Sequence, residues 1–427
     1  IYGNPNPAFT GTFVGLKNGD VCTLTFTSAD ITSPVGTYPI VPAVGGAKAI
    51  NYAITVKNGT LTIIPAQLTV AGPSGNQLYG DPNPPSTFSG LKNNDNITAT
   101  LASPTVTSVP GTYVTVPVLA DPTNKLVNYT VTIRNGSITV NKAPLSVTAN
   151  SFSRPFGSAN PTLTGVITGI KNGENITATY STTATQASNV STFAITPTVS
   201  FSPAGLSGNY NLTTAAGTLT ITAVPLSITS NNQTVVLNGA IAPSATYSGF
   251  VLGQGPANLA GTLSCSSNGS TIGTHTISCS GQSSTNYTIS FVNTGVETVT
   301  YAPVGTCSNG PGHQILAPIL TTGGTQFTKA TTPTIPVQFR VCDAKGVSIS
   351  STVISSFTLT SINGVPANTP APLGGPFAFV GGTLLNGAGS AGWQFILSTS
   401  NLAAGNTYAY TINLNDGTSI SFQFRLN

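Results

Sequence analysis

The sequence predicts an all-β fold: tandem antiparallel β-sandwich-like domains in an elongated array, with a β-grasp-like arrangement as the alternative. Three observations lead to this prediction. Short signatures recur at a nearly fixed period, apolar and polar residues alternate within each period, and short proline-containing segments separate the periods. No apolar stripe of helical spacing competes with the alternation, so we expect almost no helix.

The most regular repeated signature is an Asn-Tyr pair. Its tyrosines follow one another at spacings of 77, 81 and 77 residues, at Tyr52, Tyr129, Tyr210 and Tyr287. An aromatic-Gly pair followed by Asn-Pro also recurs, as Tyr2-Gly3, Tyr79-Gly80 and Phe156-Gly157. Between the two signatures lies a Lys-Asn turn that ends in Asp20, Asp95 or Glu174 and that the fourth copy has lost. A fixed period of this length predicts one β-domain per copy.

Within each copy, the alternation of side chains predicts half-buried strands. Cys22, Leu24 and Phe26 alternate with threonines, and Tyr52 to Val56 is a further run rich in β-formers. The pairs Asn58-Gly59 and Asn135-Gly136 lie between two such runs and are typical of tight hairpins. We therefore expect each repeat to end in a hairpin of its own.

Short joints that contain proline give the predicted domain boundaries. Repeats 1 to 4 are predicted at 1–66, 67–143, 144–224 and 225–304, and a different β-domain at 305–427. Because proline stiffens such short joints, the angles between neighbouring domains are restricted. The array is expected to be a semi-rigid rod.

The composition excludes several classes of function. Only 5% of the residues are charged and the net charge of +4 is spread thinly, so we expect no nucleic-acid binding. No stretch of about 18 apolar residues occurs, so we expect no membrane insertion. The nine acidic residues and two histidines are scattered, so no catalytic, metal-binding or cofactor-binding residue is predicted and the chain is not expected to be an enzyme. Asp20, Asp95 and Glu174 are interpreted as turn residues.

The five cysteines indicate an oxidising compartment. Cys265 and Cys279 flank a turn-rich segment and are predicted to face each other across adjacent strands, while Cys307 and Cys342 can pair within the last domain. Cys22 aligns with Ile97 and Ile176 and is expected to replace a core aliphatic side chain, with an intermolecular disulfide as the alternative.

The motifs Tyr-Gly-x-x-Asn-Pro, Gly-Leu-Lys-Asn-Gly-Asp and Asn-Tyr-x-Ile/Val resemble the bacterial MBG domains of the YGX type, over residues 1 to about 304. From Cys307 onward, Pro336 to Arg340 and the segment that begins at Ala391 resemble the PxKF domain of bacterial surface proteins, with Gln338 in place of the lysine of that pattern. Both resemblances imply extracellular or cell-surface architecture without an active site.

These observations predict a non-enzymatic structural subunit of an extracellular bacterial surface fibre or stalk. The alternative is an adhesin segment whose C-terminal domain binds a glycan or a host or neighbouring surface protein. In the first case the expected partners are other copies of the chain itself.

An assembly groove is expected at the start of repeat 1. Repeats 2, 3 and 4 each open with a strand that precedes the counterpart of the aromatic-Gly motif, and repeat 1 has no such strand before Ile1, Tyr2 and Gly3. If Ile1 is the mature end, a strand donated by a neighbouring copy is expected to fill this groove and give a head-to-tail filament. If the strand belongs to a longer chain, it fills the groove from within.

Overall fold

The computed structural model describes residues 1–305, 307–371, 377–384 and 390–427, and their regular structure is β-strand apart from four 3-10 helices of three to six residues. The predicted all-β, sandwich-like fold is confirmed. The chain packs as two compact units. The first comprises Ile1–Ser153, Asn160–Ala184 and Thr192–Thr220, and the second comprises Arg154–Ala159, Thr185–Ser191 and Ile221–Asn427.

Repeat 1 contains a single sheet. Its strands are β1 (Thr23–Thr27), β2 (Gly36–Gly45) and β3 (Gly59–Ile63), which pair antiparallel in the order β1-β2-β3. The strand predicted at Tyr52 to Val56 is wrong, because residues 53–58 form no strand. Residues 1–66 provide no strand beside this segment, so its backbone has no ladder to join.

Repeat 2 contains two three-stranded sheets and a two-stranded ribbon. Its strands are β4 (Ala66–Ala71), β5 (Gly75–Leu78), β6 (Thr87–Ser89), β7 (Thr98–Leu101), β8 (Gly111–Thr115), β9 (Pro117–Ala120), β10 (Tyr129–Arg134) and β11 (Gly136–Asn141). The orders are β10-β4-β6, β5-β11-β8 and β7-β9. The first strand, β4, pairs parallel with β10, and β5 pairs parallel with β11, so the sheets are mixed rather than purely antiparallel.

Repeats 3 and 4 follow the same plan. The strands of repeat 3 are β12 (Ala143–Ala149), β13 (Phe152–Pro155), β14 (Gly165–Thr168), β15 (Asn175–Ser181), β16 (Thr192–Ser202), β17 (Tyr210–Ala215) and β18 (Gly217–Thr222), ordered β14-β12-β17 and β13-β18-β16-β15. Those of repeat 4 are β19 (Val224–Ser230), β20 (Gln233–Val236), β21 (Ala245–Ser248), β22 (Ser264–Ser267), β23 (Gly273–Ser280), β24 (Tyr287–Val292) and β25 (Val296–Thr300), ordered β21-β19-β24 and β20-β25-β23-β22.

The predicted terminal hairpin of each repeat is wrong. In repeat 2, β10 and β11 follow each other directly but lie in different sheets, because the chain crosses from one sheet to the other at Asn135-Gly136. A Cβ at Gly136 would lie 2.2 Å from the carbonyl oxygen of Pro73. The glycine is therefore required by a close backbone approach and not by a two-residue turn.

The C-terminal domain is a sandwich of two larger sheets. Its strands are β26 (Gln314–Leu316), β27 (Gln326–Phe327), β28 (Thr334–Arg340), β29 (Ile354–Ile362), β30 (Val365–Pro370), β31 (Ala378–Thr383), β32 (Ser390–Ser398), β33 (Asn406–Leu414) and β34 (Ser419–Leu426). They are ordered β26-β28-β32-β31 and β27-β34-β33-β29-β30 around an aromatic core that includes Phe357, Phe395 and Tyr410. Trp393 belongs to this core and donates its Nε1 hydrogen to the carbonyl oxygen of Ile349 at 3.0 Å.

Candidate functional sites: the repeat junctions and an open groove

The aromatic residue of the first aromatic-Gly pair is buried in the repeat that follows it. Tyr2 is 1% exposed and lies in one core cluster with Leu68, Val70 and Tyr129 of repeat 2. Its backbone N–H donates to the carbonyl oxygen of Ile64 at 2.9 Å, which continues the end of β3. The sequence motif that opens repeat 1 is thus a plug for repeat 2.

The Tyr2 plug is held by a second tyrosine and a carboxylate. The Tyr2 ring packs edge-on against Tyr129, with ring centroids 5.5 Å apart. Both hydroxyls donate to Oδ2 of Asp95, the Tyr2 hydroxyl at 3.0 Å and the Tyr129 hydroxyl at 2.7 Å. Because a carboxylate accepts several hydrogen bonds, one buried charge joins the two rings.

The junction between repeats 2 and 3 repeats this geometry. The rings of Tyr79 and Tyr210 meet edge-on at 5.7 Å, and both hydroxyls donate to the carboxylate of Glu174. The backbone N–H of Tyr79 donates to the carbonyl oxygen of Asn141 at 2.8 Å, as Tyr2 does one repeat earlier. These two junctions lie within the first unit.

At the junction between repeats 3 and 4 the polar partners change together. Phe156 takes the place of the plug tyrosine and packs edge-on against Tyr287 at 5.7 Å. Phenylalanine has no hydroxyl, and the acceptor is correspondingly a neutral amide: Tyr287 donates to Oε1 of Gln254 at 2.8 Å. The acceptor is thus a carboxylate where two hydroxyl donors face it and a neutral amide where only one does.

The glycine of each aromatic-Gly pair makes room for the Lys-Asn turn of the next repeat. Gly3 has a φ of +75°, and a Cβ there would lie 2.4 Å from the Cβ of Lys92. The Lys92 ammonium then donates to Oδ1 of Asn4 at 3.0 Å. At the next junction, a Cβ on Gly80 would lie 2.6 Å from the Cβ of Lys171, whose ammonium pairs with Asp81 at 2.7 Å.

The turn itself is kept in repeat 4, although its residues differ. The N–H of Gln254 donates to the carbonyl oxygen of Val251 at 3.0 Å, as Glu174 does to Lys171 at 3.1 Å. Leu252 adopts a φ of +57°, where the other repeats place asparagine. Val251 packs on Gly157 in place of the lysine contact. A Cβ at Gly157 would lie 2.6 Å from Val251 Cγ2. The turn predicted to be lost in repeat 4 is therefore present.

Burial sets the protonation of these tyrosines. Burial, followed by the hydrogen bond to Glu174, raises the pKa of Tyr210 to about 12, against a smaller opposing effect of the hydrogen bond with the backbone of Lys171. The same causes raise the pKa of Tyr79, and burial with the Asp95 hydrogen bond raises that of Tyr129. Tyr79, Tyr129 and Tyr210 are therefore neutral donors below pH 10.

A fourth junction joins repeat 4 to the C-terminal domain, within the second unit. Leu237 follows β20 as Tyr79 follows β5, and its N–H donates to the carbonyl oxygen of Thr300 at 2.9 Å. Its side chain packs against the C-terminal core. Asn238, with a φ of +61°, takes the place of the glycine and donates from Nδ2 to Oδ2 of Asp343 at 2.8 Å.

The described residues of repeat 1 form an open groove. Its volume is about 580 Å³, and residues 10–16 and 52–59 form its walls. Leu24, Phe26, Ile40 and Val44 line it from β1 and β2. Tyr52 also lines the groove, and its hydroxyl donates to Oδ2 of Asp20 at 3.0 Å. No aromatic ring from the described residues stacks on Tyr52 in the way that Tyr2 stacks on Tyr129.

The structure places the predicted site residues in three settings. Cys265 and Cys279 are disulfide-bonded across β22 and β23, and Cys307 and Cys342 are disulfide-bonded in the C-terminal domain. Cys22 is a half-buried free thiol that lines the groove. Ile1, Tyr2 and Gly3 do not line that groove; they border a separate cavity of about 260 Å³ beside residues 61–64.

Sequence reasoning missed the role of the turn carboxylates. The sequence predicts local turn roles for Asp95 and Glu174, but their side chains accept hydrogen bonds from the preceding repeat. One signal was present in the sequence: Tyr2 goes with Asp95, Tyr79 with Glu174, and Phe156 with Gln254. An acid at the end of the turn accompanies a plug residue with a hydroxyl.

These repeated junctions agree with a comparison against known families. The family model of the MBG domain (YGX type) matches residues 1–62, 68–139, 145–220 and 226–296. The chain belongs to this family. The four MBG matches cover the four repeats that contain the Asn-Tyr pairs, and they do not extend to the C-terminal domain.

Other comparisons add little. No curated protein matches the chain. Among solved structures, Drosophila N-cadherin EC1-4 aligns with 84% of this chain and 99% of its own at 11% identity and a TM-score of 0.17. The human desmocollin-1 ectodomain aligns with 98% of this chain and 94% of its own at 9% identity and a TM-score of 0.21. TM-scores this low do not establish a shared fold, so the fold class is assigned from the sheets of this chain.

Two properties of the described residues concern membranes and metals. No helix there is long and apolar enough to span a membrane. No group of three or more His, Cys, Asp or Glu side chains in those residues could hold a metal ion.

Proposed function

We propose that the MBG array is a non-enzymatic structural segment of an extracellular bacterial fibre or stalk. The observation that supports this most directly is the repeated junction, in which an aromatic plug from one repeat is buried in the next. A plug that is buried in the next repeat restricts bending between repeats more than a linker that only connects them. Mechanical coupling of neighbours is what a stalk requires.

Two further features support an extracellular setting. The structure contains two disulfides, which persist in oxidising compartments, and the surface is nearly uncharged. The domain boundaries at 66, 143, 224 and 304 belong to this proposal as well. So does the PxKF-like assignment of residues 305–427.

The proposal is tested by small-angle X-ray scattering on the full chain. Gly80→Ala introduces a Cβ that would lie 2.6 Å from Lys171 Cβ, whereas Gly173→Ala meets nothing within 4 Å at a similar φ of +66°. We expect Gly80→Ala to broaden the distribution of intramolecular distances and Gly173→Ala to leave it unchanged. Equal scattering from wild type and both variants would contradict a role in stiffness.

Head-to-tail self-assembly is the finer form of this proposal. It requires a strand for the groove of repeat 1, and analytical ultracentrifugation over a range of concentrations measures it. Binding of a glycan or a surface protein by the C-terminal domain is the alternative function. A glycan array probed with the full chain tests it. Glycan binding that is unchanged in Gly80→Ala, the variant expected to loosen the junction between repeats 2 and 3, would favour this alternative.

A further inference from the structure

One edge of repeat 3 is a β-strand without the usual protection against pairing with another chain. β15 is the last strand in the order β13-β18-β16-β15, and among the described strands it pairs only with β16. This pairing covers all seven residues of β15 without a bulge. The strand contains no charged residue, no proline and no glycine. Soluble proteins usually interrupt such an edge with one of these or with a short strand, because its free backbone groups can pair with a further strand.

The corresponding edge strands of the other repeats are shorter. β1 has five residues, and β7 and β22 have four each. In repeat 4 the edge strand is also joined to its neighbour by the disulfide between Cys265 and Cys279. Of these four edge strands, β15 therefore presents the longest row of free backbone groups.

The inward side of β15 is occupied by its own domain. Ile176 is 5% exposed and belongs to the core cluster at the junction between repeats 2 and 3. Tyr180 is half-buried, and a Cβ at Gly165 of β14 would overlap its ring. The backbone edge and the outward face remain free. The exposed side chains of that face are Asn175, Thr177, Thr179 and Ser181.

The sequence of β15 is complementary to its own reverse. Antiparallel pairing of two copies over all seven residues places Ala178 of one copy opposite Ala178 of the other, on a two-fold axis. On the inward side, Ile176 then lies opposite Tyr180, and on the outward side Thr177 lies opposite Thr179. Aromatic with β-branched residues and threonine with threonine are favourable cross-strand pairs. The ends of the strand pair through uncharged polar residues.

We propose that β15 pairs antiparallel with β15 of a second copy of the chain, so that two four-stranded sheets join into one continuous sheet. A second copy is the occupant that the strand itself specifies, because each of its seven residues finds a compatible partner in the reversed sequence. The contact is the same on both chains and closes as a dimer. It is separate from the head-to-tail contact at repeat 1 and does not depend on it. Two seven-residue edges form a small interface, so we expect a weak, concentration-dependent dimer.

Analytical ultracentrifugation of the full chain at concentrations up to about 1 mM tests the proposal. Thr177→Lys/Thr179→Lys would place like charges directly opposite each other across the two strands, which destabilises their pairing. The matched control is Thr198→Lys/Ser200→Lys, which adds the same charge at the exposed positions of β16 that pair with Thr179 and Thr177. We expect dimers of wild type and of the control, and dimerisation at least tenfold weaker in the β15 variant. A wild type without dimers, or equal dimerisation of the two variants, would overturn the proposal.

A mixture of two charge variants separates a specific contact from a loss of folding. Thr177→Glu/Thr179→Glu should repel a second copy of itself, but with Thr177→Lys/Thr179→Lys it brings opposite charges face to face across the strands. We expect the mixture to dimerise at least as tightly as wild type. A mixture that stays monomeric would contradict the proposal. So would equal association of the Glu variant with the control Thr198→Lys/Ser200→Lys.

Hydrogen exchange locates the contact. At a concentration where the dimer predominates, amides of residues 175–181 should exchange at least tenfold more slowly than in the monomer, and those of residues 98–101 in β7 should not change. Slower exchange in another segment instead of residues 175–181 would overturn the proposal. Head-to-tail association through the groove of repeat 1 would protect residues 52–59 and would not respond to substitutions in β15, so failure of one contact is distinguishable from failure of the other.

Discussion

The hydroxyl of Tyr2 donates to the carboxylate of Asp95 at 3.0 Å, across 93 residues of sequence and from one repeat into the next. Tyr2 and Asp95 are both buried, and Tyr129 donates to the same carboxylate. Hydrogen bonds to a charged acceptor contribute about 1.5–3 kcal/mol each to stability, against about 1 kcal/mol for neutral pairs. A single interaction of this kind therefore couples neighbouring repeats measurably.

Removal of the Tyr2 hydroxyl is expected to loosen the first junction. Tyr2→Phe keeps the ring packing on Tyr129 but removes one donor from Asp95, which should lower the free energy of local opening of repeat 2 by about 1–3 kcal/mol. Hydrogen exchange of residues 92–97 in the full chain measures this. Tyr38→Phe is the control, since the Tyr38 hydroxyl donates locally to the carbonyl oxygen of Pro34 in an exposed contact.

Substitution by alanine is expected to destabilise the chain more at the glycine of the plug motif than at the glycine of a turn. Gly3→Ala and Gly19→Ala both place alanine at positive φ, at a cost of about 1–2 kcal/mol. Only the first also places a Cβ 2.4 Å from Lys92, whereas Gly19 has nothing within 4 Å. Thermal unfolding should therefore show a larger loss for Gly3→Ala, and equal losses would argue against close packing of plug and turn.

Alkaline pH is expected to open the second junction. Burial, followed by the hydrogen bond to Glu174, raises the pKa of Tyr210 from 10.0 to about 12 in the folded chain. A raised pKa means that the folded state holds its proton more tightly, so this contribution is complete below pH 10 and is lost as the pH rises towards 12. Stability measured across this range should fall less steeply in Tyr210→Phe, and an unchanged slope would contradict the assignment.

Acid pH is expected to weaken the junction to the C-terminal domain. Burial by itself would raise the pKa of Asp343, but hydrogen bonds from Asn238 and from the backbone of Val347 and Lys345 lower it below 3.8. The contribution of this carboxylate is therefore present above pH 3.8 and lost as the pH falls below it. In Asn238→Ala, hydrogen exchange near residues 343–347 should be faster and should depend less on pH between 2 and 4.

The sequence predicted the parts of the fold that depend on local pattern. Alternation at Cys22, Leu24 and Phe26 predicted the region of β1, and the spacing of the Asn-Tyr pairs located the four repeats. Predictions based on chain neighbours failed, because Asn135-Gly136 carries a hairpin signature but connects two sheets. Sequence pattern defines the faces of a strand and does not define which strand lies beside it.

The junction could not be derived from one repeat considered alone. Tyr2 and Asp95 belong to different periods, so a repeat-by-repeat interpretation assigns each of them a local role. The repeat boundary drawn at residue 66 also separates the Tyr2 motif from the core in which it is buried. Comparison of plug and acceptor across successive periods was the one sequence signal that pointed to the contact.

The central claim, that aromatic plugs couple neighbouring repeats, is tested most directly by a double-mutant cycle on Tyr79 and Glu174. Opening free energies of repeat 3 are measured by hydrogen exchange in the full chain for Tyr79→Phe, Glu174→Gln and the double variant. Because the two side chains share a partly buried hydrogen bond to a carboxylate, we predict a coupling energy of about 1–3 kcal/mol. Additive effects of the two substitutions would show that the repeats are not coupled through this contact.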